Sequence, residues 1–413
     1  MRSITITALD IGTSSVKGLC CKKNLSTGEI QVLGQVSVPC FGVRNGEVVR
    51  PEAVAAVISQ AKNELSQQAG VKIKEAIINL GGTHLFPIVS QGLVSVSRAD
   101  QKISYEDIQR VLKAAHAIHL PSNKEILEAY PKEFLVDGES NIKNPIDLQG
   151  IRLEARVLLI CYFKPVFTNL MQALLLSNLE KFEIKSSFLA AARAVLTAEQ
   201  KELGVLLIEI GAGTTSVAVF EKGELVDFMV FPIGSANITN DIALFLRTEI
   251  QTAEQIKKDF GSLVPQNKEK QIIVKKRKKS GKMDNIEDGG ILPFASEKEV
   301  RRIVEMRIAE ICLEIQKNLK KLSSGQPLPA GIVLTGGGAN IEGIVGFMKE
   351  KFKLPCRMGK INIKDVNDAQ FAVCCGLVSS VFEQEGNEVF FEKESAIHGF
   401  KKWLLKVFRV FLP

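Results

Sequence analysis

The chain has no run of about 18 apolar residues, the length a helix needs to cross a bilayer. Its eight cysteines include no CxxC pair and no regular spacing, so they do not form the pattern of a disulfide framework. Cys20–Cys21 and Cys374–Cys375 are adjacent pairs inside apolar runs, and buried free thiols in reduced cytosol are expected. There is no GxxxxGK[ST], which excludes a P-loop. The strand-like "SITITALDIG" at the start leaves no room for a signal peptide, so none is expected. Tryptophan occurs once, as Trp403, in the last fifteen residues.

A content of 46% hydrophobic and 24% charged residues is that of a globular chain, and 413 residues support two or more domains around a large core. The net charge of +7 is uneven. The segment 268–282, "KEKQIIVKKRKKSGK", carries eight basic residues and one acid, and the last fifteen residues carry four basic residues and no acid. The remainder is close to neutral and slightly acidic, with 41 basic and 45 acidic residues, so the body does not resemble a nucleic-acid binder. The basic run, Lys275–Lys279 at its centre, fits a solvated loop by default; an anionic-lipid or nucleic-acid patch stays open.

The final stretch, "GFKKWLLKVFRVFLP" (399–413), follows helical periodicity at about 100° per residue. Phe400, Trp403, Leu404, Val407 and Phe411 share one side, widened by Phe408, Val410 and Leu412. Lys402, Lys406 and Arg409 fall opposite, with Lys401 at an edge. Such a helix is too short to span hydrocarbon and suits the membrane interface, rings down and cations toward anionic head groups. Docking on the protein's own core is the alternative. The polar, acid-rich "EQEGNEVFFEKESAIH" (383–398) before it has the composition of a tether.

Two stretches share one design. "ITALDIGTSSVKGLCC" (6–21) runs strand, acid, Ile-Gly, small hydroxyls, strand; "VLLIEIGAGTTSVAVF" (205–220) repeats it with Glu209 in place of Asp10. Both predict β-hairpins with glycine and hydroxyl residues at the turn beside an acid. Glycines let backbone N–H groups approach phosphate oxygens, hydroxyls add donors, and the acid can hold a hydrated Mg²⁺. Two copies about 200 residues apart suggest a duplicated α/β fold with a nucleotide between its halves. A third cluster, "GIVLTGGGANIEGI" (331–344), follows a strand and opens a helix, where glycines let a ligand approach.

These motifs resemble the actin-like ATPase superfamily, with its duplicated ribonuclease-H-like fold, and within it the bacterial cell-division FtsA family. The resemblance covers nearly the whole chain; "NIKNPIDLQGIRLEARVLLI" (141–160), "GSANITNDIA" and the amphipathic tail are its more specific parts. It implies subdomain 1A over 1–83 and 163–203, an inserted FtsA-type 1C over 84–162, 2A over 204–243 and 331–382, and 2B over 244–330. It also implies an ATP-binding, filament-forming adaptor on the cytoplasmic face of the membrane at the division site. The implied partners are the FtsZ C-terminal tail, further copies of itself, other division proteins and the anionic inner membrane; the implied cofactors are ATP and Mg²⁺. Asp10 would order the Mg²⁺ shell through water. Gly12, Thr13 and Ser14 would cradle phosphates, Lys17 would reach a phosphate oxygen, and Gly211, Gly213, Thr214 and Thr215 would face them. Gly336, Gly337 and Gly338 would lie under the adenosine, with Glu254 and Lys257 facing ribose and base; spacing alone makes the last two an i,i+3 surface pair. Arg307 would meet the FtsZ tail, and Lys275–Lys279 would add long-range attraction to that acidic peptide.

The chain departs from the family pattern at Glu209, where Asp is usual, at Ala212 for a glycine, and at Ser216 for a frequent Asp. In the helix expected over 186–200, Arg193 is the nearest match to the residue that orients attacking water in actin relatives, and a cation cannot accept a proton. Binding of ATP is therefore expected to exceed turnover, which is slow or undetectable without the polymer. Helices are also expected with caps at Ser104 (Asp107 as partner) and Ser296. His116 and His119 lack a third ligand nearby and fit ordinary helix histidines. Two alternatives remain: a PilM-like pilus-assembly protein, which has the fold without the tail, and a small-molecule kinase of the superfamily.

Overall fold

The computed structural model describes residues 3–25, 27–264, 271–273, 294–323 and 325–384. The amphipathic stretch 399–413, all but the first residues of the tether and the basic run 275–279 lie outside the described residues.

Two five-stranded sheets share one topology. In the first, Ile30–Pro39, Ser15–Asn24 and Ser3–Ile11 run antiparallel, and Glu75–Leu80 and Lys181–Ser186 continue the sheet in parallel. In the second, Glu224–Phe231, Thr215–Glu221 and Val205–Ile210 are antiparallel, followed in parallel by Ile332–Thr335 and Cys356–Met358. The central strands are apolar on both faces because helices cover both sides, the burial expected where parallel strands join a sheet. Ala8, Leu9, Leu206, Leu207 and Ile208 are fully buried.

Between the sheets lie helices Ser187–Val195 and Ala372–Gln384. Small residues let their backbones meet: a Cβ on Gly376 would collide with the Ala190 carbonyl. One core runs from the first sheet through these helices into Ala218, Phe220 and Phe228 of the second. There Phe188 stacks on Phe228, ring centroids 4.3 Å apart. A second core joins the far face of the second sheet to helices Ser235–Leu246, Ile250–Phe260, Glu297–Leu322 and Ile344–Phe352.

The insert is a separate four-stranded sheet, ordered Leu85–Ser95, Arg152–Phe163, Lys124–Val136 and Glu139–Ile142, all antiparallel. Helix Tyr105–His116 covers one face with its own small core. Its start is set by the Ser104–Asp107 capping box expected from the sequence. The Ser296–Glu299 box opens Glu297–Leu322 in the same way. His116 and His119 are exposed, and no cluster of metal-binding side chains occurs among the described residues. The helix expected over 186–200 is two helices, Ser187–Val195 and Ala198–Leu203, because Thr197 caps the second through Gln200. No helix among the described residues is long and apolar enough to cross a membrane.

Candidate functional site: a cleft between two acid–glycine hairpins

The two hairpins face one another, and their turns are built alike. Gly12 N–H donates to the Ser15 carbonyl at 3.0 Å, and Gly211 N–H to the Thr214 carbonyl at 2.8 Å. Asp10 pairs across its hairpin with Lys17, and Glu209 across the other with Ser216. Alternation along a strand then puts Asp10, Lys17, Glu209 and Ser216 on the cleft side, where all four line it. The halves touch at Gly213, whose Cβ would lie 2.8 Å from Thr13 Oγ1. The cleft behind this contact encloses about 630 Å³ of space continuous with solvent.

Lys17 Nζ donates to Asp10 Oδ2 at 2.9 Å, and Asn79 Nδ2 donates to Asp10 Oδ1 at 2.7 Å. Asn79 Oδ1 accepts from the Ile11 N–H at 2.6 Å, fixing the turn to the end of strand Glu75–Leu80. Burial works against the Lys17 ammonium, but Asp10 beside it more than offsets this and raises its pKa. Glu209 is pushed up to about 7 by burial and by the Asp10 charge, against the opposing pull of Lys17, Ser216 and Ser187. Its Oε2 is buried with no hydrogen-bond partner. Two carboxylates converging on one cleft, one holding an unpartnered oxygen, fit a hydrated divalent cation bound with an anionic ligand.

Of the residues singled out in the sequence, Asp10, Gly12, Thr13, Ser14, Lys17, Glu209, Gly211, Thr214, Gly336 and Gly337 line the cleft. Gly336 has φ +87°, and Gly338 is pressed against Ile210, where a Cβ would lie 2.5 Å from Cγ2. Gly338 therefore supports the loop from behind. Thr215 does not face the cleft: it is fully buried on the opposite side of the strand, where its hydroxyl donates to the Ile233 carbonyl at 2.8 Å. Glu254 and Lys257 are not among the lining residues. Lys257 Nζ donates to Glu254 Oε2 at 2.6 Å and to Thr239 Oγ1 at 2.8 Å, tying two helices together. Arg307 holds Asp241 through a fork of bonds at 2.7–2.9 Å and Glu310 through Nη1, so a peptide carboxylate at Arg307 has to displace one of these partners.

Arg193 is also turned away; its Nη2 donates to Tyr130 Oη of the insert at 3.2 Å. From that helix Ser187 lines the cleft instead, at its first turn. A hydroxyl can orient water but is no ready proton acceptor. Asn79, Gly46, Gly81, Gly82 and Gln370 complete the walls. The signal for Asn79 is "NLGG" (79–82), a third strand end running into glycines on the same sheet edge.

The model for the SHS2 domain inserted in FtsA matches residues 82–161, and that for cell division protein FtsA matches residues 206–376. The cell division protein FtsA of Pseudomonas aeruginosa is 33% identical over 366 residues, which span 88% of this chain and 85% of that one. This chain belongs to the FtsA family. Among solved structures, that of the PilM–PilN type IV pilus biogenesis complex covers 91% of this chain and 98% of its own at a TM-score of 0.63 and 16% identity. MreB5 of Spiroplasma citri bound to ADP covers 92% of this chain and 96% of its own at 0.53 and 16%. Identities this low establish the fold alone, which is the actin-like one in two halves, here with the FtsA insert.

Proposed function

We propose that this FtsA-family chain is an ATP-binding, filament-forming adaptor that ties the FtsZ ring to the cytoplasmic face of the membrane during division. The observation that carries the reading is the pair of facing acid–glycine hairpins, joined to a sequence that ends in an amphipathic basic helix pattern. The turns offer backbone N–H groups and hydroxyls to phosphates. Asp10 and Glu209 would hold hydrated Mg²⁺, which neutralises phosphate charge when bound. Gly337 would lie under the adenosine. Turnover is slow, since helix Ser187–Val195 gives the cleft a serine where an acid or amide would orient water. The insert supplies the contact to the next copy. The tail 399–413 supplies the membrane contact, and helix Glu297–Leu322 with Arg307 receives the acidic FtsZ tail once Asp241 or Glu310 is exchanged.

The test is delivery of a labelled FtsZ tail peptide to anionic liposomes in the presence of Mg-ATP. The peptide should co-localise with lipid only when the full chain is present. Equal delivery by residues 1–398 contradicts the adaptor reading.

A further inference from the structure

One face of insert strand Lys124–Val136 touches three separate points of the body. Glu128 Oε2 accepts the Ser186 N–H at 3.0 Å and the Ser186 hydroxyl at 2.5 Å. Ser186 is fully buried and is the cap residue of helix Ser187–Val195. A carboxylate there meets the positive end of the helix, one residue before the Ser187 that lines the cleft beside Glu209. Two residues along the strand, Tyr130 meets Arg193 near the other end of the same helix. Two residues further, Lys132 Nζ donates to the Val226 carbonyl of the second half at 3.0 Å. Lys132 also faces Glu221 and Asp227, whose pKa values burial raises and Lys132 opposes.

Glu128 and Tyr130 share a strand face by period two, and Lys132, left unpaired at a bulge between Pro131 and Glu133, reaches the same body from there. The stretch from 128 to 132 spans about 13 Å. It thus bridges the cleft-lining helix of the first half and the outer strand of the second. Phe188 and Phe228 stack beside this bridge, one from each half. Any change in the angle between the halves has to break the Glu128 or the Lys132 contact, or carry the strand with it. The strand pairs with Arg152–Phe163 from Lys124 to Val136, with bulges at Leu127 and Lys132, so the insert sheet moves with it.

We propose that strand Lys124–Val136 is a strap through which occupancy of the cleft reaches the insert sheet, carried by the Glu128 and Lys132 contacts. This rests on the reading that the cleft binds ATP. Glu128 and Lys132 are positioning residues: neither lines the cleft. Typical magnitudes for coupling of this kind are about fivefold or more.

The experiment is hydrogen exchange on the full chain with and without Mg-ATP, for wild type, Glu128→Ala and Lys132→Met. In wild type, ATP should change exchange about fivefold or more both at the turns around Gly12 and Gly337 and along residues 124–136. Both variants should keep the first response and lose the second. An unaltered strand in wild type with protected turns overturns the strap while leaving nucleotide binding intact. A strand response that survives in both variants shows that these contacts do not carry it. If ATP protects neither region, the nucleotide reading fails and the strap falls with it.

Discussion

Asp10 and Lys17 face each other in direct register across the first hairpin and close a 2.9 Å ion pair, with side chains only 8% and 13% exposed. Their counterparts in the second hairpin are Glu209 and Ser216, so the duplicated scaffold carries this pair once. Removing one member of a buried pair typically costs about 3–5 kcal/mol because the other charge is left uncompensated. Lys17→Met should therefore lower the melting temperature and weaken ATP binding, and Asp10→Ala should weaken ATP binding well below wild type. Calorimetric titration with Mg-ATP checks both; unchanged affinity in Asp10→Ala removes it from the nucleotide site.

Glu209 yields a pH-dependent prediction. Its pKa in the folded chain is raised to about 7 from an ordinary carboxylate value near 4.5. A raised folded value means the stability is fully present below pH 4.5 and is lost as pH climbs through 7. Glu209→Gln, which carries no charge at any pH, should thus raise the melting temperature at pH 8 more than at pH 5. A gain that is the same at both values contradicts the assignment.

Gly337 and Gly338 separate ligand contact from packing. A Cβ on Gly337 meets nothing closer than Gln370 Cβ at 3.6 Å, whereas one on Gly338 collides with Ile210. Gly337→Ala should leave the melting temperature near wild type and lower ATP affinity. Gly338→Ala should lower the melting temperature itself. Differential scanning calorimetry with ATP titration distinguishes them, and equal destabilisation would place Gly337 in the packing as well.

Asp107 anchors the insert. It is fully buried and accepts from Ser97, Ser104 and Arg110, which together hold its carboxyl well below the usual range against the opposing effect of burial. Its lowered value gives stability that is present above pH 4 and lost on acidification. Asp107→Ala removes a cap and leaves buried donors unpaired, for a cost of about 1–3 kcal/mol. Urea denaturation followed by exchange in residues 105–116 should show the loss there first.

The hairpins are legible because their chemistry is local: acid, glycine and hydroxyl lie within eight residues of one another. Asp10 follows from that pattern and Lys17 from the family resemblance, and both line the cleft. The Ser104 and Ser296 caps were legible for the same reason. Thr215, set toward the phosphates by the resemblance, turns away because a one-residue step along a strand reverses the face, and its neighbour Ser216 takes the cleft side. Arg193 does not reach the cleft, because the helix begins at Ser187 and only its first turn lines it. Asn79 and the bond from Glu128 to Ser186 join residues 69 and 58 positions apart, and no periodicity in one sequence reports such pairs.

The membrane tie is the central claim. Each basic residue near an anionic surface contributes roughly 1 kcal/mol, and each buried Phe, Leu or Trp about 1.5–3 kcal/mol. Folding a short helix that is barely helical alone would offset part of this, so on the proposed reading one tail would bind reversibly and a filament of tails would hold fast. Co-sedimentation of the full chain, Trp403→Glu and residues 1–398 with anionic liposomes measures it. The account predicts that the full chain pellets with lipid and releases with salt, that Trp403→Glu binds weakly even at low salt, and that 1–398 stays in the supernatant. Retention of 1–398 on liposomes at the level of the full chain would contradict it.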